Sequence, residues 1–388
     1  MEILWFWLLG ISLFLLFYTF FGYGILMWIL SKIFPREIKK DESFEPTISV
    51  ILPVYNDEKY IREKLENLLS LDYPASKIEY IIGSDSNDGT NEILREYMDH
   101  PQIHLDFSQE RRGKIGAINA IVPKAKNEIL LFTDAHELFE KDALRKLVRN
   151  FADPEVGGVT GLHQFRQKDS TVAQGTSLYW KYERMIQKWE SKVWSLQSAD
   201  GCIYAIRKEL FIPPPNNMAL DDDLIPLLVA LQGYRIILEE EARAYSDPFV
   251  QIESELSRRI TFQMGHFQNL SFLWKKLIPF VSPIGFGYFS HKTLRTLTGF
   301  LLIIALISNI MLLSYFPFQF LLLAQGIFYG FGLMGLLGQK LGFSFFLFSL
   351  PLYFLLHGYA TIVGFGKFLK WLSTSGPYKG WEKKDPGA

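Results

Sequence analysis

The run Ile48-Ser49-Val50-Ile51-Leu52-Pro53-Val54-Tyr55-Asn56-Asp57 reads as a strand that ends in a polar turn. Ile48 to Leu52 is short, apolar and rich in β-branched residues, and Pro53 stops it, as in a strand buried on both faces. Working outward, Ile61, Leu65, Leu68 and Leu69 recur at helical spacing, and Ile78 to Ile82 gives a second strand. A turn follows at Ser84 to Gly89, then a short helix through Ile93, Leu94 and Tyr97, and a third strand at Ile103 to Phe107. Gly113 opens another helix, Ile129 to Phe132 is a fourth strand, and Leu144, Leu147, Val148 and Phe151 mark the next helical face. Val156 to Thr160 gives a fifth strand. This alternation predicts an α/β fold with a mostly parallel, doubly wound sheet.

Ligands of such sheets sit beyond the carboxyl ends of the strands. Those ends carry Tyr55-Asn56-Asp57, then Asp85 with Asp88, then Asp134-Ala135-His136. A carboxylate and an imidazole two residues apart after a strand suit a divalent ion that also binds ligand phosphates. Asp221-Asp222-Asp223 places three carboxylates in sequence, which repel unless a cation or a proton relieves them. Arg111-Arg112-Gly113-Lys114 sets cations and a helix start where a diphosphate fits. Any one of these clusters also reads as a solvated loop cap or an acidic helix start; together they favour a site.

The 388 residues carry 40 Lys and Arg against 41 Asp and Glu, and 49% are apolar. The charge is segregated: Ile3 to Ser31 and Thr296 to Gln339 have none, and Leu341 to Gly366 contains only His357. Uncharged apolar blocks this long predict membrane spans, near 4–29, 297–316, 318–337 and 343–366. The first is too long for a cleavable signal and opens on Glu2. Lys32, Arg36, Lys39 and Lys40 after it, with Lys275, Lys276, Lys292 and Arg295, place the intervening domain in the cytoplasm. Four spans then send the basic tail outside, against the same rule. His266 to Lys292 mixes apolar and basic residues as an interfacial helix does. The expected divisions are 1–33 (span), 46–265 (cytoplasmic domain), 266–292 (interfacial segment), 293–366 (three spans) and 367–388 (tail). One cysteine, Cys202, excludes an internal disulfide framework, and the balanced charge argues against nucleic acid as a partner.

With these residues in view, the chain resembles the membrane-embedded family-2 glycosyltransferases, the group of cellulose, hyaluronan and poly-N-acetylglucosamine synthases. The resemblance covers about residues 46–292 and the flanking spans. Residues 48–57 resemble the family's opening strand and nucleotide loop, which implicates Pro53, Tyr55, Asn56 and Asp57 in donor binding. Ser84-Asp85 with Asp88-Gly89-Thr90 resembles the SDGSTDGT element, one residue shorter here. Arg112-Gly113-Lys114 with Asn119 resembles the diphosphate segment. Thr133-Asp134-Ala135-His136 resembles the TDAD metal motif, with His in the second position. Asp200-Gly201-Cys202-Ile203-Tyr204-Ala205-Ile206-Arg207 resembles the strand near the acceptor. Counting back from Gly233-Tyr234-Arg235 selects Asp222 as the family's base, flanked by Asp221 and Asp223.

The resemblance implies a Rossmann-like GT-A domain between transmembrane helices. It also implies inverting transfer from a nucleotide sugar, a UDP-sugar first, to a lipid-linked or polysaccharide acceptor at the plasma membrane. Asp134 and His136 would hold Mg²⁺ or Mn²⁺; Lys114, Arg258 and Arg259 would contact the diphosphate; Asp200, Gly201, Asp221 and Trp189 would face the acceptor. One departure stands out. Registered on Gly265, the Q/R-x-x-R-W motif of processive relatives reads Arg258-Arg259-Ile260-Thr261-Phe262, which weakens a processive reading and leaves a single addition open. The aromatic stripe Tyr182, Ile186, Trp189 and Val193 reads either as sugar contacts or as ordinary core. A catalytically silent subunit is the competing reading, and it leaves the presence of Asp85, Asp134 and Asp222 together without a reason. A coupled transporter fits less, because the spans hold no ionisable residue beyond His357.

Overall fold

A computed structural model describes residues 2–165, 171–246, 252–341 and 345–373. Two compact units result: 35–165 with 190–246, and 2–34 with 171–189 and the described residues from 252 to 373.

The first unit is built on one eight-stranded sheet. Its strands are β1 (Ile48–Val54), β2 (Ile78–Ser84), β3 (Ile103–Phe107), β4 (Ile129–Phe132), β5 (Leu138–Phe139), β6 (Val156–Phe165), β7 (Tyr204–Arg207) and β8 (Arg235–Ser246). They lie in the order β3-β2-β1-β4-β7-β6-β8-β5. β3, β2, β1 and β4 are mutually parallel, β6 is parallel to β8, and β7 runs antiparallel between β4 and β6. β1 and β2 are buried along almost their whole length, which is why they read as continuous apolar runs and not as alternating ones. Helix Ile61–Leu69 seats Ile61, Leu65 and Leu68 in the core beneath β1 and β2. The predicted strands are all present; the sequence gives no sign of β5 or β8, and β6 continues five residues past Thr160.

The second unit is helical. Among the described residues, three helices are long and apolar enough to cross a membrane, Glu2–Ile33, Phe316–Gly338 and Leu347–Leu372, and a bent pair, Pro283–Thr296 with Thr298–Met311, meets at 61°. Leu9 packs with Ala305 and Leu312, and Tyr315 donates to Glu2 Oε2 at 2.7 Å. The far end of the bent pair therefore lies at the Glu2 end of the first helix, away from Lys32. The expected span at 297–316 is thus only the second half of a broken element.

Helix Ile252–Leu273 runs unbroken across 265/266, and the chain turns at 274–282 before Pro283, so 266–292 is not a single helix. Arg295, counted as a flanking charge in the sequence, is instead buried against Glu183 at 2.5 Å. Phe272, Trp274, Ile278, Phe280 and Val281 around the turn stay exposed beside Lys275 and Lys276. Of the tail, 374–388 lies outside the described residues.

Candidate active site

The parallel order β2-β1-β4 brings three polar turns side by side at the carboxyl ends of these strands. After β1, Asn56 takes a positive φ of 53°, a conformation that Asn tolerates better than most residues. Its amide donates to Ser86 Oγ at 2.9 Å, and its Oδ1 accepts from the Asn87 amide at 3.0 Å. Asp57 accepts from the Tyr55 amide, and its own amide donates to Thr90 Oγ1 at 2.9 Å. Asp88 accepts from the Thr90 amide and hydroxyl, so this carboxylate shapes the turn. Arg111 stacks on the Tyr55 ring at 4.0 Å.

Asp85 is buried and held twice by Arg112, from its backbone amide at 2.7 Å and its Nε at 2.8 Å; the same guanidinium reaches Asp106 at 2.6 Å. The next residue, Gly113, has φ 75° and opens helix Gly113–Ile121, a turn that disfavours a side chain. Lys114 follows and points its ammonium into the carboxylates, 2.8 Å from Asp134 Oδ1 and 3.1 Å from Asp221 Oδ1. From the same helix Asn119 donates to Pro214 O and Asn216 Oδ1, both at 2.7 Å, tying down the proline loop that leads to helix Asp221–Ala230.

Asp221, Asp222 and Asp223 form the first turn of that helix. Three carboxylates, Asp134, Asp221 and Asp222, share one ammonium. Burial alone would lower the Lys114 proton affinity, yet these carboxylates outweigh it and hold the ammonium well above its usual range. Burial and then the Asp221 charge push the Asp222 carboxyl up to about 8. Gly201 makes room for it: a β-carbon there would meet Asp222 Oδ2 at 2.8 Å. The Asp222 carbonyl also accepts from the Ala199 amide at 2.8 Å.

His136 faces Asp57 at 3.3 Å and packs on the Tyr60 ring. Asp134 and His136, the two residues expected to hold a metal ion, are each more than one third exposed, but in this structure Asp134 faces Lys114 and His136 faces Asp57. The surplus of negative charge at Asp134, Asp221 and Asp222 fits a divalent cation, because one ammonium leaves it only partly neutralised.

Lys64 was not recognised in the sequence. It is fully buried, donating to Thr133 Oγ1 at 2.8 Å and to Glu137 O at 2.6 Å, so it fastens both ends of the Asp134-Ala135-His136 turn. Burial lowers its ammonium to about 8. The signal was available, since Lys64 falls at i+3 from Ile61 on the inward stripe. Lys64→Met should destabilise the first unit by about 1–3 kcal/mol, the cost of leaving buried acceptors unmade. It should also weaken Mn²⁺-dependent donor binding; equal melting and unchanged donor affinity would remove it from the site's support.

Arg258, Arg259 and Trp189 belong to the helical unit. Both arginines pair with Glu255, at 2.9 and 2.8 Å, and Arg259 lies over the Tyr353 ring. Trp189 is partly buried; on the same helix Ile186 is core and the Tyr182 hydroxyl donates to Phe20 O at 2.6 Å. The stripe therefore packs as core at Tyr182 and Ile186.

Residues 49–212 match the model of Glycosyl transferase family 2. The poly-beta-1,6-N-acetyl-D-glucosamine synthase of Staphylococcus aureus (strain COL) is 27% identical over 248 residues, 60% of this chain and 60% of that protein. The Staphylococcus epidermidis protein of the same name is 30% identical over 173 residues, 42% of this chain and 41% of its own length. The match to the first of these relatives thus spans less than two thirds of its length. Among solved structures, the mannosyltransferase PcManGT from Pyrobaculum calidifontis, in complex with GDP-Man and Mn²⁺, aligns with a TM-score of 0.71 at 24% identity, covering 93% of this chain and 99% of that one. The fold is accordingly GT-A-like, and residues 49–212 of this chain form a family-2 glycosyltransferase domain homologous to polysaccharide synthases.

Proposed function

We propose that this chain is an inverting glycosyltransferase that moves one sugar from a nucleotide-sugar donor, a UDP-sugar first, to a lipid-linked or polysaccharide acceptor at a membrane. The observation that carries the reading is the charge cluster past the end of β4, where the Lys114 ammonium lies 2.8 Å from Asp134 and 3.1 Å from Asp221, with the Asp222 carboxyl next in the chain and pushed up to about 8 by burial and Asp221. A base with a proton affinity near the working pH both accepts and releases a proton readily.

In this reading the nucleotide base and ribose lie over Tyr55, Asn56, Asp57 and Asp85, and Lys114 contacts the diphosphate. Asp134 and His136 would hold Mg²⁺ or Mn²⁺, which neutralises charge on the departing diphosphate. Asp222 takes the acceptor hydroxyl's proton as that oxygen bonds the anomeric carbon. The bond from that carbon to the phosphate oxygen breaks, and the nucleoside diphosphate leaves with the electron pair. One displacement inverts the centre. The anomeric configuration of the product, read by NMR, tests this: a β-linkage from an α-linked donor supports single displacement, and an α-linkage overturns it.

The pH profile follows from the same carboxyl. Asp222 works only when deprotonated, so kcat/KM should rise with pH toward a limb at or below about 8. A divalent cation stabilises the charged form, so raising Mn²⁺ should move the limb to lower pH. A limb that ignores Mn²⁺ would contradict the shared-charge account.

Three candidate spans and the bent pair support a multi-pass membrane protein. The domain would sit on the cytoplasmic side of the plasma membrane, as the basic residues Lys32, Arg36, Lys39 and Lys40 indicate.

A further inference from the structure

We propose that His163, Asp200 and Cys202 form a binding site for a zinc-class cation, separate from the Asp134–His136 pair. One ligand atom from each lies within 4.8 Å of the others, with the thiol buried and the other two side chains partly exposed. Tetrahedral zinc, with bonds near 2.0–2.3 Å, separates its ligands by about 3.3–3.8 Å. Shifts of about an ångström therefore close the group on an ion, and three protein ligands leave a fourth position for water. A thiolate and an imidazole select zinc-class ions over Mg²⁺ and Mn²⁺, which prefer oxygen.

Hydrogen bonds from neighbouring strands and turns frame the group. His163 lies on β6, and Asp200 and Cys202 lie in the turn before β7, the antiparallel neighbour of β6. The Asp200 amide donates to Thr160 Oγ1 at 2.8 Å, the Cys202 amide to Asp200 Oδ1 at 3.3 Å, and the Gly161 amide to Ile203 O at 2.9 Å. Ser246 Oγ lies 2.7 Å from His163 Nε2, the kind of outer partner that orients a metal-bound imidazole. The thiol also neighbours the Glu137 carboxyl, whose Oε2 is buried without a hydrogen bond among the described residues. A cation entering here binds the sulfur as thiolate and releases its proton to solvent.

Gly201 lies between two of the ligands, and its Cα side faces the Asp222 carboxylate. Drawing Asp200 and Cys202 onto an ion shifts the backing of that carboxylate, so zinc should inhibit transfer; this consequence rests on the proposed function, whereas the binding does not.

Co²⁺ titration of the purified full chain in detergent separates the two. The expected result is a sulfur-to-cobalt charge-transfer band at one ion per chain, displaced by Zn²⁺ and unaffected by excess Mn²⁺. The band should be lost in Cys202→Ser, weakened at least ~10-fold in His163→Gln, and retained in Asp134→Asn. Melting temperatures of the variants, measured without metal, identify any that fail to fold, and metal protection against Cys202 alkylation then serves as the second readout in wild type. No thiolate band and no protection would overturn the site, as would a band that persists in folded Cys202→Ser. Zinc should lower nucleotide release in wild type more than in Cys202→Ser. Equal sensitivity would overturn the inhibitory role, while a band without nucleotide release under any condition would leave the site standing and remove the proposed function.

Discussion

Asp222→Asn is expected to lower turnover about 10²–10⁴-fold, the range in which a positioned base contributes, while leaving donor affinity near wild type. The loss would not come from unfolding. The folded Asp222 carboxyl, at about 8, sits above its ordinary value of 3.8, so the folded state binds its proton more tightly than the unfolded state does. That stabilising bias is complete below pH 3.8 and is lost as pH rises through 8; above 8 the folded protein carries a charge that burial and Asp221 oppose. Asparagine carries none. Above pH 8 the variant should melt no lower than wild type, and equilibrium dialysis with the donor nucleotide should give a similar affinity. Turnover within tenfold of wild type would remove Asp222 as the base, and a sharply lower melting temperature at pH 9 would contradict the charge balance described for the cluster.

Glu183→Ala should carry the largest stability cost, about 3–5 kcal/mol, because it strips a buried carboxylate from a buried guanidinium and an imidazole. Glu183 pairs with Arg295 at 2.5 Å and with His291 at 2.9 Å, and all three side chains are buried. Burial opposes its charge, but Arg295 and His291 outweigh that and hold the carboxyl well below the usual carboxylate range. Its contribution is therefore full above about pH 4.5 and falls away as the solution becomes more acidic. Thermal unfolding of detergent-solubilised protein at pH 7 measures this directly; equal melting of variant and wild type would show that the pair does not hold the helical unit. Glu183→Gln should recover part of the loss, since an amide still accepts a hydrogen bond from Arg295.

The parts of the fold that were legible in the sequence are those with uniform environments. β1, β2 and β4 are buried along their length, so their apolar runs stand out, and the loops after them inherit their positions from the parallel order. Strand β8 was harder to see, because Glu239, Glu240, Glu241 and Arg243 interrupt it; Glu239 is buried only because Lys40, Asn150 and Arg149 meet it from distant parts of the chain. Lys64 was missed for a similar reason: a lysine on an inward stripe makes sense only once Thr133 and Glu137 are known to lie above it. The bent pair at 283–311 escaped because Thr296 to Gln339 is uniformly apolar, and composition alone does not record a 61° bend.

At the site, Asp134 and Asp221–Asp223 were visible as charge that needs relief, whereas the single ammonium of Lys114 shared between Asp134 and Asp221 is a product of tertiary structure. In the sequence Asp85 and Asp88 stand side by side as candidates for one role. Their partners separate them, with Asp85 held by Arg112 and Asp88 capping the turn at Thr90.

The most direct test of the account is nucleotide release by the purified, nanodisc-embedded chain, offered a panel of UDP- and GDP-sugars with membrane lipid extract or oligosaccharide as acceptor. The account predicts release from one donor that requires Mn²⁺ or Mg²⁺, stops with EDTA, and is lost in Asp222→Asn. Donor binding with no release across all acceptors, or release that survives in Asp222→Asn, would contradict it.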